Sequence, residues 1–159
     1  MTHLATLDKL FTGMPPVAAM QIRASEFDGE VLRLTAPLAA NVNDKSCAFG
    51  GSLASLMTLA GWGWLTLNLR QAGVEAEVYV ADSNIRYLAP LYDDLNGEAR
   101  LRGDQDWAAI LRCLAERKRA RVVMLADVRN AAGVPVATLE ARFALKTASD
   151  PWPARVDRA

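Results

Sequence analysis

The sequence predicts an α+β fold, a curved antiparallel sheet wrapped around one long central helix. Three observations carry this. The segment from Phe49 to about Gln71 is helical in spacing and apolar nearly all round. Six other segments have the apolar–polar alternation or composition of strands. The strands after residue 75 follow one another without the long helical crossovers a parallel sheet needs. A helix with no polar side must be covered, and a sheet curved around it covers it.

The elements follow in order. Leu4, Leu7, Leu10 and Phe11 share one face of a short amphipathic helix, which Gly13 and Pro15-Pro16 end. Ala18, Met20, Ile22 and Ala24 alternate with Ala19, Gln21, Arg23 and Ser25, which predicts a first strand. Asp28-Gly29 signals a hairpin turn into a second strand, Val31 to Ala36, interrupted at Pro37. Residues 38–48 read as an irregular loop. The long helix follows, with Leu53, Leu56, Met57, Ala60, Trp64 and Leu67 in helical register and Gly73 as its stop. Strands are expected over 75–88, ended by Pro90, and over 95–102. Trp107, Ile110, Leu111 and Leu114 mark a short helix capped by Asp104 or Asp106. Two final strands, Arg119 to Asn130 and Val134 to Lys146, turn at Ala131-Ala132-Gly133. Residues 1–148 are expected to form one domain and 149–159 a loosely ordered tail.

Composition narrows the chemistry. Eighteen basic and eighteen acidic residues give a net charge of zero, which argues against nucleic acid or an acidic membrane as partner. His3, near the N-terminus, is the only histidine, so no Ser-His-Asp triad can be assembled within the chain. Cys47 and Cys113 lack C-x-x-C spacing and are read as free thiols in a reducing cytoplasm. No metal or redox cofactor is expected. Residues 49–69 have the length of a membrane span, but Gly50, Gly51, Ser52, Ser55, Thr58, Gly61, Gly63, Thr66 and Asn68 dilute them, and a buried helix is the reading.

The informative stretch is Asn41-Val-Asn-Asp-Lys-Ser-Cys-Ala-Phe-Gly-Gly-Ser52, where a polar loop meets the start of the long helix. A helix N-terminus presents unpaired N–H groups and partial positive charge, and glycines let a ligand approach closely. Such a site can hold a thioester carbonyl and stabilise the oxyanion formed on attack. Asp44 could serve as general base or nucleophile, Asn43 could orient water or carbonyl, and Lys45 could meet a phosphate or balance Asp44. The plain alternative is that Asn and Asp are turn residues and Gly-Gly allows tight packing.

This loop, the apolar helix after it and the strand DSNIRYLAPL resemble the hotdog-fold thioesterases. The nearest resemblance is to the YiiD C-terminal type. Its Asn-Asp-Lys loop and Phe-Gly-Gly-Ser helix start are matched by Asn43, Asp44, Lys45, Phe49, Gly50, Gly51 and Ser52. The resemblance implies an acyl-CoA or acyl-carrier-protein thioesterase, with Gly51 supplying an oxyanion-hole N–H, and a homodimer or dimer of dimers with clefts between protomers. In the related His-Gly-Gly group a histidine would fall at Phe49 and a carboxylate near Thr58. This chain has no acidic residue between Asp44 and Glu75, so hydrolysis would turn on Asp44, on a facing strand or on a neighbouring subunit. The alternative is a non-catalytic acyl-CoA or fatty-acyl binder.

Two further groups are candidates. Asp82, Asn84 and Arg86 are expected on one face with Val78, Val80 and Leu88, either as a partly buried patch reaching the cleft, or as a strand running out to solvent or an interface network. Arg112, Arg117, Lys118, Arg119 and Arg121 form a basic cluster, read as a solvated face or as a surface for CoA phosphates or an acidic carrier. Met57, Trp62, Trp64 and Leu65 are read as core or acyl-tunnel lining. Cys47, without a histidine partner, is a poor nucleophile.

Overall fold

The computed structural model describes residues 2–147. The tail expected at 149–159 lies outside the described residues. Helix α1 (His3–Thr12) is capped by Thr2, whose Oγ1 accepts the Ala5 N–H at 3.2 Å, and it buries Leu7 and Phe11. His3 is thus the first residue of a helix, with its ring edge-on to Phe27.

The expected strand through Ala18 and Met20 is instead a short helix, α2 (Pro15–Met20). The proline pair that ends α1 also starts α2, since proline presets the helical φ where no N–H bond is needed. Alanine and methionine favour helix, so the brief alternation carries little weight. Gln21, in the left-handed region at φ 55°, ends α2, and β1 (Arg23–Phe27) begins two residues later. Asp28 Oδ1 accepts the N–H groups of Glu30 (2.8 Å) and Val31 (2.7 Å), turning the chain into β2 (Val31–Ala36).

After a 3₁₀ turn (Leu38–Ala40) and the loop come α3 (Gly50–Gln71), β3 (Ala76–Tyr87), β4 (Leu95–Leu101), α4 (Trp107–Arg117), β5 (Arg119–Arg129) and β6 (Pro135–Thr147). Asp106, not Asp104, caps α4, accepting the Ala108 N–H at 3.0 Å. Asp104 pairs with Arg102. The strands form one antiparallel sheet in the order β1-β2-β4-β5-β6-β3, so β3, which follows the central helix, is an edge.

Helix α3 packs against five strands, β2 to β6. Leu56, Met57, Leu65 and Leu67 are fully buried. Gly63 lets the helix sit close to the sheet, because a Cβ there would stand 2.8 Å from Leu32 Cδ2. Half-buried positions Gly51, Ala54, Ser55, Thr58, Leu59, Trp62 and Thr66 recur at helical spacing, leaving one side of α3 open along its length. Among the described residues, no helix is long and apolar enough to cross a membrane.

Candidate active site at the helix N-terminus

Two asparagines shape the loop ahead of α3. Asn41 is buried; its Nδ2 donates to the carbonyls of Met20 (2.9 Å) and Pro37 (2.8 Å), and its own carbonyl accepts the Phe49 N–H at 2.7 Å. Asn43 Oδ1 accepts the N–H groups of Lys45 (2.8 Å) and Cys47 (3.2 Å), while its Nδ2 donates to Cys47 Sγ at 3.3 Å. The Asn43 amide therefore replaces backbone partners and closes the turn. The Ala48 N–H, bonded to the Leu91 carbonyl at 2.8 Å, ties the loop to the β3–β4 connection.

The side chains of Asp44 and Lys45 stand outside this network. They pair at 3.0 Å with side chains 78% and 73% exposed. So exposed a pair contributes about 0–1 kcal/mol, and the carboxylate can exchange partners at small cost.

The chain enters α3 at Phe49 without a capping side chain. The N–H groups of Gly50 and Gly51, at the first two helical positions, donate to no other described residue. The Phe49 ring is 55% exposed and lies over Gly51, where a Cβ would come within 2.4 Å of it. Tyr87 donates its hydroxyl to the Gly50 carbonyl at 3.1 Å. A cavity of ≈ 330 Å³ opens here, walled by Ala48, Gly50, Leu53 and residues 87–91. Ser52 is buried in the first turn, 5% exposed. Thr58 lies seven residues beyond Gly51 on the same half-open side, about 10 Å along the helix.

Asp82, Asn84 and Arg86 do not join this site. Val78 and Val80 stand opposite Leu145 and Phe143, whose side chains are buried. The register then slips, with Asp82 opposite Arg142 and Ala81 as the extra residue of a bulge. A bulge reverses the alternation beyond it. Asp82, Asn84 and Arg86 therefore take the outer face beside Arg142, Glu140 and Thr138, exposed, and no longer share a face with Val78 and Val80. Arg142 hydrogen-bonds Asp82 and holds its carboxyl below the ordinary carboxylate value. The same bulge turns Tyr87 inward onto Gly50. Sequence reasoning missed Tyr87; its one signal was an aromatic residue at a strand end three positions before Pro90.

The other candidates lie apart. Arg117, Lys118, Arg119 and Arg121 are exposed where α4 meets β5, and Arg119 stands opposite Lys146 at the end of the sheet where β3 begins, the end away from Tyr87. Met57, Trp64 and Leu65 are core; Trp62 borders the open side of α3. Both cysteines are free thiols, Cys47 buried. Among the described residues, no three His, Cys, Asp or Glu side chains cluster as metal ligands would.

Residues 5–147 match the family described as putative thioesterase (yiiD_Cterm). This chain belongs to that family. Its strand order around a central helix is the hotdog fold. A crystal structure of a Chlorobaculum tepidum protein of unknown function superposes with a TM-score of 0.85 at 27% identity, covering 90% of this chain and 93% of that one. A putative thioesterase from Shewanella oneidensis superposes at 0.81 with 27% identity, over 91% and 97% of the two chains. A Haemophilus influenzae thioesterase, 17% identical with a TM-score of 0.72 over 92% of each chain, shares the fold.

Proposed function

We propose that this protein hydrolyses an acyl thioester of CoA or of an acyl carrier protein, with water as nucleophile. The observation that supports it most is the pair of unpartnered N–H groups at Gly50 and Gly51, at the positive end of a 22-residue helix, with Gly50 lining a cavity. The thioester carbonyl accepts from these groups, which stabilise the negative charge that water's attack develops on its oxygen. Asp44, the one acidic residue between Glu30 and Glu75, leaves Lys45 and takes the water's proton. The tetrahedral intermediate then expels the thiolate, and protonation yields a carboxylic acid and a thiol. Asn43 acts as a positioning residue, by shaping the loop that carries Asp44. The exposed Phe49 ring, lying over the Cα of Gly51, borders the carbonyl's approach. The acyl chain runs along the open side of α3, past Thr58 and Trp62.

The position of β3 in the sheet supports a paired assembly. It bonds β6 on one side, no other described strand pairs with it, and Val80, Tyr87 and Leu88 in or beside it are exposed. A sheet edge of this kind favours pairing with a second copy, giving a homodimer or dimer of dimers with the clefts between protomers. Two free thiols suit a reducing cytoplasm.

A second reading, a non-catalytic acyl-CoA binder, is favoured by Thr58 standing where a helix carboxylate would serve related enzymes. A panel of short, long and aromatic acyl-CoAs with thiol detection separates the two. Turnover on any member supports hydrolysis; tight binding without thiol release supports the binder.

A further inference from the structure

A second cavity, of ≈ 370 Å³, lies between the β1–β2 turn at Gly29 and Glu30, Trp64 and Asn68 of α3, and Trp107 at the start of α4. That volume is in the range of small-molecule sites. Asn68 is 17 residues beyond Gly51, about 25 Å along the helix, so this cavity is separate from the site above.

Its walls have a defined chemistry. Trp64 and Trp107 meet edge to face, their centroids 5.3 Å apart at 81°. Trp64 donates its indole N–H to the Glu30 carbonyl at 2.8 Å, so its ring offers apolar surface. Arg100 borders the cavity, but its guanidinium is turned toward Glu98 and Asp127, 3.7 Å from each. Asn68 is the telling residue. It is 8% exposed, and its Nδ2 donates to the Trp64 carbonyl at 3.0 Å. That bond fixes the amide orientation and leaves Oδ1 with no donor among the described residues. Among the described residues Asn41 Oδ1 is the one side-chain atom both sealed from solvent and unpartnered, so Asn68 Oδ1 keeps access to solvent, and Asn68 lines this cavity.

We infer that this cavity binds a small uncharged aromatic molecule carrying an N–H or O–H donor, of the indole or phenol class. Its ring extends the edge-to-face packing of Trp64 and Trp107, and its donor bonds Asn68 Oδ1. An anionic ligand would find no cation committed to it here.

The test is NMR titration of the full chain, ¹⁵N-labelled at tryptophan, with indole, phenol, toluene and hexanol. Trp107→Ala assigns one indole signal and disrupts the site. Indole and phenol should shift the Trp64 and Trp107 indole N–H signals saturably. Toluene, lacking the donor, and hexanol, lacking the ring, should each bind about tenfold more weakly. Asn68→Leu should erase the preference for phenol over toluene, and Trp107→Ala should weaken all ring ligands. The inference is overturned if neither indole nor phenol saturates these signals, or if hexanol binds as well as phenol. It also fails if phenol and toluene bind alike to the unsubstituted protein, a comparison that stands even where Asn68→Leu does not fold.

Discussion

The loop at 43–52 and the middle of β3 at 82–86 are both polar stretches beside an apolar core, yet the fold treats them oppositely. The loop is held by its own hydrogen bonds, Asn43 to Lys45 and Cys47 and Asn41 to Phe49, and ends on two unpartnered helical N–H groups. The strand segment is placed by parity alone, and one bulge at Ala81 sends Asp82, Asn84 and Arg86 to the outer face. A polar loop keeps its address if its local bonds persist. A polar strand residue keeps its face only if no residue is inserted before it.

The largest effect that sharpens this contrast is catalytic. Asp44→Ala should lower kcat by about 10²- to 10⁴-fold, the usual worth of a general base, while Asp82→Ala leaves kcat within about twofold. Steady-state thiol release on the best acyl-CoA measures both. Asn43→Ala strands the Lys45 and Cys47 N–H groups. It should cost about 1–3 kcal/mol and lower kcat more than KM, with partial recovery in Asn43→Asp, which restores the acceptor. Deleting Ala81 should remove the bulge yet leave Tyr87 on Gly50, because Asp82 then follows Val80 directly and stays opposite Arg142. Denaturant unfolding should record a change within about 1 kcal/mol, with Asp82, Asn84 and Arg86 still on the outer face; a loss of several kcal/mol would contradict the assigned bulge. The smallest effect is on pH dependence. Arg142 holds the Asp82 carboxyl below its ordinary 3.8, so the stability it contributes is present above that value and lost as pH falls through the lowered one. Asp82→Asn should flatten the fall of Tm on acidification below about pH 4, with no change at neutral pH.

Much of the architecture was legible because its signals are long. The run from Leu53 to Leu69 is long and helical in spacing, and its glycines and polar residues favoured a buried helix over a membrane span, while the strand pairs after residue 75 had turns to join them. The glycines that make the helix look weak, Gly61 and Gly63, are the ones that seat it against Phe143 and Leu32. Short signals misled. Residues 15–20 carry too few side chains to separate alternation from a helix of one and a half turns, and Pro15-Pro16 reads equally as an end and as a beginning. At the site, the loop was legible from Asn-Asp-Lys and Phe-Gly-Gly. Tyr87 was not, because its orientation depends on a bulge whose extra residue is an unremarkable alanine. Nor was Asn43's commitment to Cys47 and Lys45, since an asparagine that shapes a loop and one that touches substrate look the same in sequence.

The central claim is that Gly50 and Gly51 N–H groups hold the thioester carbonyl. It is tested most directly by ¹H–¹⁵N NMR on a sample titrated with a non-hydrolysable acyl-CoA analogue. Those two amides should move downfield and saturate together, ahead of the exposed Asn84 and Arg86 amides on β3. Saturable binding that leaves both glycine amides unmoved would contradict the account.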